Sequence, residues 1–169
     1  MKTDPEIRHA NGFQFSEPDY FGFPVYSITF CCNKKCCFFG HIENKEMILN
    51  EKGNIAYVEW YKLKERYGSL ELDAFQIMPN HIHGIIILRN SKNINITFPT
   101  IGNILGTYKS LVSKECRKLS RSRGKVAGKL WQRNYSEQLI NTEEEYREIR
   151  KDINDNPANW RDDELYFFS

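Results

Sequence analysis

The spacing of hydrophobic positions divides the chain into strand-like and helix-like segments. Apolar or alternating runs typical of strands occupy residues 25–32, 36–42, 70–78, 81–88 and 130–140. Apolar positions three or four residues apart, typical of helices, occupy residues 50–68, 100–121 and 142–156. The order ββαββαβα predicts an α+β fold in which helices pack on a mainly antiparallel sheet.

Local signals set several boundaries of these elements. The polar residues 33–35 predict a tight turn that pairs the first two strands as a hairpin. Thr142 and Glu145 form the T-x-x-E pattern of a capping box, which begins the third helix, and Pro157 helps to end it. The aromatic residues of the C-terminal tail predict that the tail packs back onto the domain.

The composition favours a single cytoplasmic domain. With 169 residues, of which 40% are hydrophobic and 14% aromatic, the chain is long and apolar enough to build one core. No apolar run approaches the roughly 18–20 residues of a membrane span, and the N-terminus lacks the apolar stretch of a signal peptide. Four of the five cysteines lie within residues 31–37, where we interpret them as small apolar strand residues rather than a zinc site.

Basic residues are concentrated in the second predicted helix and the loop after it. Residues 109–133 contain nine lysines and arginines and one acid, Glu115. Such a stretch predicts a surface for the phosphates of a nucleic acid, although a solvated helix face has the same composition. The candidate contact residues are Lys109, Lys114, Arg117, Lys118, Arg121, Arg123, Gln132 and Arg133.

A His-x-His pair, His81 and His83, begins the apolar strand at 81–88. Residues i and i+2 of a strand project on the same face with Cα atoms roughly 6.5–7 Å apart, so both imidazoles can converge on one ion. Two histidines are too few for a structural zinc site, and they suit a catalytic site with open positions for substrate. A third ligand has to come from elsewhere, and Asn156 at the end of the third helix is the best candidate.

Several segments, in the right order, resemble one known family. The segment "FQIMPNHIHGIIIL" resembles the His-hydrophobic-His (HUH) motif of the single-tyrosine, IS200-like transposases and their REP-associated relatives. The segments "LNEKGNIAYVEW" and "TIGNILGTYKSLVSK" resemble the family's first two helices. The segment "LWQRNYSEQLINTEEEYREIRKDINDNPANW" resembles its closing strand, helix and Asn-Pro turn.

The resemblance implies a ferredoxin-like domain with the IS200-like transposase fold at 21–160, an N-terminal extension at 1–20 and a tail at 161–169. It implies a bacterial, cytoplasmic and nucleoid-associated protein that binds hairpin-containing single-stranded DNA as a monomer or homodimer. In the family, two histidines and a polar residue of the last helix hold one Mg²⁺ or Mn²⁺, which polarises the phosphate that a tyrosine attacks. Carried onto this chain, the ligands are His81, His83 and Asn156.

The family places its nucleophilic tyrosine one turn before the third ligand, where this chain has Asp152. Three interpretations remain open. The chain has lost strand transfer but still binds DNA; Asp152 joins the metal ligands of a hydrolytic nuclease; or another tyrosine, such as Tyr108 or Tyr135, serves in a different geometry. A protein–protein module on a reused fold is a further hypothesis, and it predicts no salt-dependent DNA binding.

Overall fold

The computed structural model describes residues 23–89 and 99–166. The strands in these ranges are β1 (Val25–Cys31), β2 (Gly40–Glu43), β3 (Glu46–Leu49), β4 (Leu70–Ile77), β5 (His81–Leu88) and β6 (Ser136–Ile140). The helices are α1 (Glu51–Arg66), α2 (Ile101–Ser122) and α3 (Glu143–Asp155), with 3-10 turns at Asn33–Lys35 and Trp160–Asp162. The predicted N-terminal extension and the last three residues of the predicted tail lie outside the described residues.

Four strands form the main sheet in the order β4-β5-β1-β6, and all neighbours are antiparallel. The strands β2 and β3 form a separate hairpin. In chain order, α1 and the inserted hairpin lie between β1 and β4, and α2 lies between β5 and β6. The connectivity of the main sheet is therefore ferredoxin-like, with α3 added after β6. The predicted α+β class is confirmed.

Side-chain alternation along the central strand β5 separates the two faces of the sheet. The even-numbered isoleucines of β5 belong to the larger core cluster, to which α1 and α2 contribute most of their buried side chains. The odd-numbered ones, Ile85 and Ile87, belong to a smaller cluster with Ile153 of α3. Since successive strand residues point to opposite faces, His81 and His83 lie on the α3 face, as predicted.

Helix α3 is fixed to this face through a buried carboxylate of β4. The side chain of Asp73 is 5% exposed, accepts a hydrogen bond from the Tyr146 hydroxyl and lies 3.3 Å from Arg150 Nε. Hydrogen bonds that involve a charged group contribute about 1.5–3 kcal/mol each, so these contacts hold the helix in register against the sheet. The N-cap half of the predicted capping box is confirmed, because the Thr142 side chain accepts from the Glu145 backbone N–H at 3.1 Å, while the Glu145 carboxylate accepts from the Asn141 backbone N–H at 2.9 Å.

The predicted hairpin between residues 25–32 and 36–42 is wrong. Lys34 and Lys35 both have positive φ values, 56° and 54°, and two consecutive left-handed residues turn the chain away from the sheet. Cys32 then bridges to Trp131, and β2 pairs with β3 instead of β1. Cys36, predicted to lie in a strand, is consequently exposed in a loop.

The last predicted strand is shorter than expected. Residues 130–140 contain a strand only from Ser136 onward, preceded by the isolated bridge at Trp131. None of the helices in the described part of the chain is both long and apolar enough to cross a bilayer.

Candidate metal centre

The two histidines of β5 form the centre of the candidate site. Their ring centroids are 4.5 Å apart and the ring planes are almost perpendicular, at 80°. The side chain of His81 is fully buried, and that of His83 is partly buried. Both rings therefore project from the face of the sheet on which α3 packs, the arrangement that the i, i+2 spacing predicts.

Asn80 determines which nitrogen of His81 carries a proton. The Asn80 amide nitrogen donates to the backbone carbonyls of Lys35 and Leu165, at 3.2 and 2.8 Å. The Asn80 side-chain oxygen is thus left as an acceptor, 2.8 Å from His81 Nδ1, which must be the donor. The remaining nitrogen, His81 Nε2, has a free lone pair. His83 is oriented in a similar way by Thr29, whose Oγ1 lies 2.7 Å from His83 Nδ1.

A carboxylate from the C-terminal tail faces this lone pair. The Asp163 Oδ2 atom lies 3.5 Å from His81 Nε2, and the Asp163 side chain is 8% exposed. The tail is held here by the hydrogen bond from Asn80 to the carbonyl of Leu165 and by the Trp160 ring, whose centroid is 5.9 Å from that of His81. The prediction that aromatic residues of the tail pack onto the domain is correct for Trp160.

Burial keeps both imidazoles neutral. Burial, followed by the nearby charges of His83 and Lys35, lowers the pKa of His81 to about 2. Burial also lowers the pKa of His83, and the Asp163 carboxylate partly opposes this effect. An ion pair between a protonated His81 and Asp163 would suit the 3.5 Å distance, but it requires the imidazolium form that burial disfavours. Neutral imidazoles are the form that binds metal ions.

The donor atoms fit a divalent metal ion. One nitrogen of each histidine and one oxygen of Asp163 all lie within 4.8 Å of one another. Neither His81 Nε2 nor Asp163 Oδ2 has a hydrogen-bond partner, although both are buried. Two ligands about 2.1 Å from one ion are about 3.0 Å apart in octahedral geometry and about 3.4 Å apart in tetrahedral geometry, so the observed 3.5 Å requires a small approach of the two atoms when an ion binds. A cation between the two acceptors would replace an unfavourable contact with two favourable ones.

The two residues of the last helix that the sequence associated with the metal differ in their surroundings. Asn156 caps the C-terminal end of α3, and its side-chain oxygen is buried without a hydrogen-bond partner, so its role as a ligand stays a prediction. Asp152 is exposed on α3 and is not a member of the three-residue ligand group. Asp163 was missed by the sequence reasoning, and the only signal for it was the acidic pair in "RDDELY".

Two tyrosines that could be alternative nucleophiles are already engaged. The Tyr108 hydroxyl is fully buried and donates to the Ala56 carbonyl at 2.9 Å. The Tyr146 hydroxyl donates to Asp73. Tyr135 is partly exposed near Lys109, at the edge of α2. Tyr166 approaches the histidines through Trp160, against whose ring it packs edge-on at 5.1 Å.

The predicted DNA-contacting residues divide between the two edges of α2. One edge, with the loop that follows, forms a groove that includes Lys109, Arg117, Gln132 and Arg133. The opposite edge carries Lys114 and Lys118 among acidic side chains. Arg123 forms an ion pair with Glu51, and Arg121 is exposed near the end of the helix.

Comparisons with known proteins agree with this architecture. No protein-family model matches the chain. An uncharacterised protein of Haemophilus influenzae is 35% identical over 180 aligned positions, which cover 98% of this chain and 97% of that one. A REP-associated tyrosine transposase bound to a REP hairpin superposes with a TM-score of 0.59 at 17% identity, over 80% of this chain and 67% of that chain. A "putative transposase" of Deinococcus radiodurans superposes with a TM-score of 0.52 at 14% identity, over 83% and 95% of the two chains.

The two solved structures share the fold with this chain, and the Haemophilus protein matches it over nearly its whole length. The chain therefore belongs to one family with the Haemophilus influenzae protein, and its fold is that of the IS200-like, HUH-type transposases.

Proposed function

We propose that the chain binds hairpin-forming single-stranded DNA and engages one backbone phosphate at a divalent metal ion held by His81, His83 and Asp163. The observation that carries the proposal is the pair of buried acceptors, His81 Nε2 and Asp163 Oδ2, that face each other at 3.5 Å without a hydrogen bond. The structural neighbour bound to a REP hairpin supports DNA as the partner.

The ligand set favours Mn²⁺ over Mg²⁺. Imidazole nitrogens are common ligands of transition metals, whereas Mg²⁺ prefers oxygen ligands and keeps most of its water. When bound, the ion supplies charge stabilisation for the oxygens of a phosphodiester. The chain's own residues orient the ligands of this ion, because Asn80 and Thr29 fix the two imidazole rings through the Nδ1 atoms of His81 and His83.

Residue 152 limits the chemistry that follows binding. A phosphotyrosine link cannot form at this position, because Asp152 has no hydroxyl group and is exposed on α3. We therefore propose binding and phosphate recognition as the principal function. Strand cleavage by a tyrosine is a second candidate, favoured only by Tyr166, whose ring packs against Trp160, the aromatic neighbour of His81.

The test measures metal binding, DNA binding and cleavage separately. Isothermal titration calorimetry with Mn²⁺ is expected to show one site in the wild type and none in His81→Ala. Fluorescence anisotropy with a labelled DNA hairpin that carries a single-stranded flank is expected to show salt-dependent binding. Absence of both signals would refute the proposal.

A denaturing gel distinguishes the two candidate functions. We expect no covalent protein–DNA adduct with Mn²⁺ in the wild type, and adduct formation in Asp152→Tyr would identify the lost nucleophile. A wild-type adduct that disappears in Tyr166→Phe would instead establish cleavage by the tail tyrosine. Cleavage without an adduct that requires His81 would identify a hydrolytic nuclease.

A further inference from the structure

A basic groove runs along one edge of α2. It has a volume of about 660 Å³ and lies between α2, the start of α1 and the loop that leads to β6. Among residues 23–89 and 99–166, no acidic side chain lines it, and the basic side chains that do are Lys52, Lys109, Arg117, Lys125, Lys129 and Arg133. Three serines and Gln132 add neutral hydrogen-bonding groups. We call this surface, lined by these six bases, the basic groove.

The opposite edge of α2 shows that this charge pattern is not a general property of the helix. There Lys118 Nζ lies 2.7 Å from Glu115, and Lys62 of α1 lies 2.8 Å from Glu59. Ion pairs with neighbouring acids neutralise these bases, whereas the basic groove contains no acid to do so. Uncompensated positive charge in a concave surface attracts polyanions more strongly than the same charge on a mixed face.

Lys109 lies at the inner end of the basic groove, where the groove meets Phe30 of β1. Its ammonium donates to the backbone carbonyls of Gln132 and Asn134, at 3.2 and 3.4 Å, and lies 5.4 Å from the centre of the Phe30 ring. Burial lowers the pKa of Lys109. An ammonium has three N–H donors, so one donor is left for an anion after these two contacts.

The inner end of the basic groove is also close to the metal centre. The Gln132 backbone N–H donates to the Cys31 carbonyl at 2.9 Å, and Cys31 pairs with His81 across β1 and β5. Two strand spacings of about 4.8 Å, or about 10 Å in total, separate the backbones of Gln132 and His81. Because the groove lies on the α2 side of the sheet and the histidines project on the α3 side, a bound strand has to pass around this edge of the sheet to join the two.

We infer that the basic groove binds the sugar–phosphate backbone of a DNA strand that continues into the metal centre. The inference rests on the proposed function and deepens it, because it assigns the surface that supplies the affinity. Phosphates are the matching ligand, since the lining combines six cations with hydroxyl and amide donors and lacks any acid to repel them. The backbone contribution is independent of sequence, so it can be measured without knowledge of the natural target.

The test compares two sets of substitutions on the full chain. The groove variant carries Arg117→Ala, Lys125→Ala, Lys129→Ala and Arg133→Ala. The control variant carries Lys114→Ala and Lys118→Ala on the opposite edge of α2. Anisotropy titrations with the flanked DNA hairpin are made over a series of salt concentrations, with Mn²⁺ titrations and thermal melts of each variant as checks of folding and of the metal centre.

The groove variant is expected to bind the hairpin at least about tenfold more weakly at low salt, and its log K–log[salt] slope should be about three units shallower. The control variant should retain at least about three quarters of the wild-type slope. Both variants should bind Mn²⁺ like the wild type. Equal losses in the two variants, or a larger loss in the control, would overturn the inference while leaving the proposed function intact. Absence of hairpin binding by the wild type would overturn both.

Discussion

Replacing Asp163 by asparagine should have opposite effects on the metal-free and the metal-bound protein. The substitution keeps the shape of the side chain and the acceptor that receives the Leu165 backbone N–H at 2.6 Å. It replaces the second carboxylate oxygen, which faces His81 Nε2 at 3.5 Å, with an amide that can donate to that nitrogen. A clash of two acceptors thus becomes a hydrogen bond.

The size of the effect follows from the burial of both atoms. A buried polar atom without a partner costs about 1–3 kcal/mol, so Asp163→Asn should stabilise the metal-free protein by a similar amount. For a chain of this length that corresponds to a rise of roughly 2–10 °C in melting temperature. In the wild type, Mn²⁺ at a hundredfold excess over its Kd should add about 2.7 kcal/mol, and the variant, without the carboxylate, should gain much less.

Scanning calorimetry in EDTA and in Mn²⁺ measures both effects. The variant should melt above the wild type in EDTA, and the order should reverse or the gap should close in Mn²⁺. Asp162→Asn is the matched control, because Asp162 is the exposed neighbour and should change neither measurement. A variant that melts below the wild type in EDTA, or that keeps the full Mn²⁺ shift, would refute the geometric argument for the site.

Three further predictions test other parts of the structure. Thr29→Val removes the hydroxyl 2.7 Å from His83 Nδ1 and should weaken Mn²⁺ binding about 10–100-fold in calorimetric titration; unchanged affinity would show that the hydroxyl does not orient the ring. Because the folded-state pKa of His81 lies below its ordinary value of 6.5, the stability that this residue contributes is complete above pH 6.5 and is lost as pH falls towards 2. In urea titrations of the metal-free protein, this loss should be about 1.4 kcal/mol per pH unit in that window and absent in His81→Ala; identical pH profiles would contradict it. Gly84→Ala places a methyl group 2.8 Å from the Trp60 ring and should lower the free energy of unfolding by about 1–3 kcal/mol. It should leave the Mn²⁺-induced rise in melting temperature unchanged, and a neutral effect on stability would mean that the ring moves.

The sequence predicted correctly that the two histidine side chains share one face of the sheet, because the two-residue period of a strand is a local property. His81 and His83 share a face whatever the strand packs against, and the isoleucines that continue this face indicate its direction into a core. The same reasoning predicted the capping box of α3, where Thr142 and Glu145 are three residues apart.

Asp163 could not be predicted in this way because its contact is not local. It meets His81 across some eighty residues of chain, and the contact depends on how the tail turns after α3. The turn at residues 33–35 was predicted, but its direction was not, because lysines with positive φ carry no signal in the sequence, unlike glycine or asparagine. In the basic stretch, charge counting could not distinguish Lys118, which pairs with Glu115, from Arg117, which faces the groove.

The proposed DNA surface and the proposed metal centre use different residues, and this bears on Asp152, which stands where the resembling family has its tyrosine. Two neutral imidazoles and one carboxylate would leave a divalent ion with a net charge of about +1, which is enough to select one phosphate but supplies little of the attraction for a polyanion. The six bases of the basic groove would supply the larger charge. Neither contribution involves Asp152, which is exposed on α3. We therefore expect that an aspartate in place of a tyrosine at this position prevents the covalent step and leaves recognition of the strand and its phosphate unchanged.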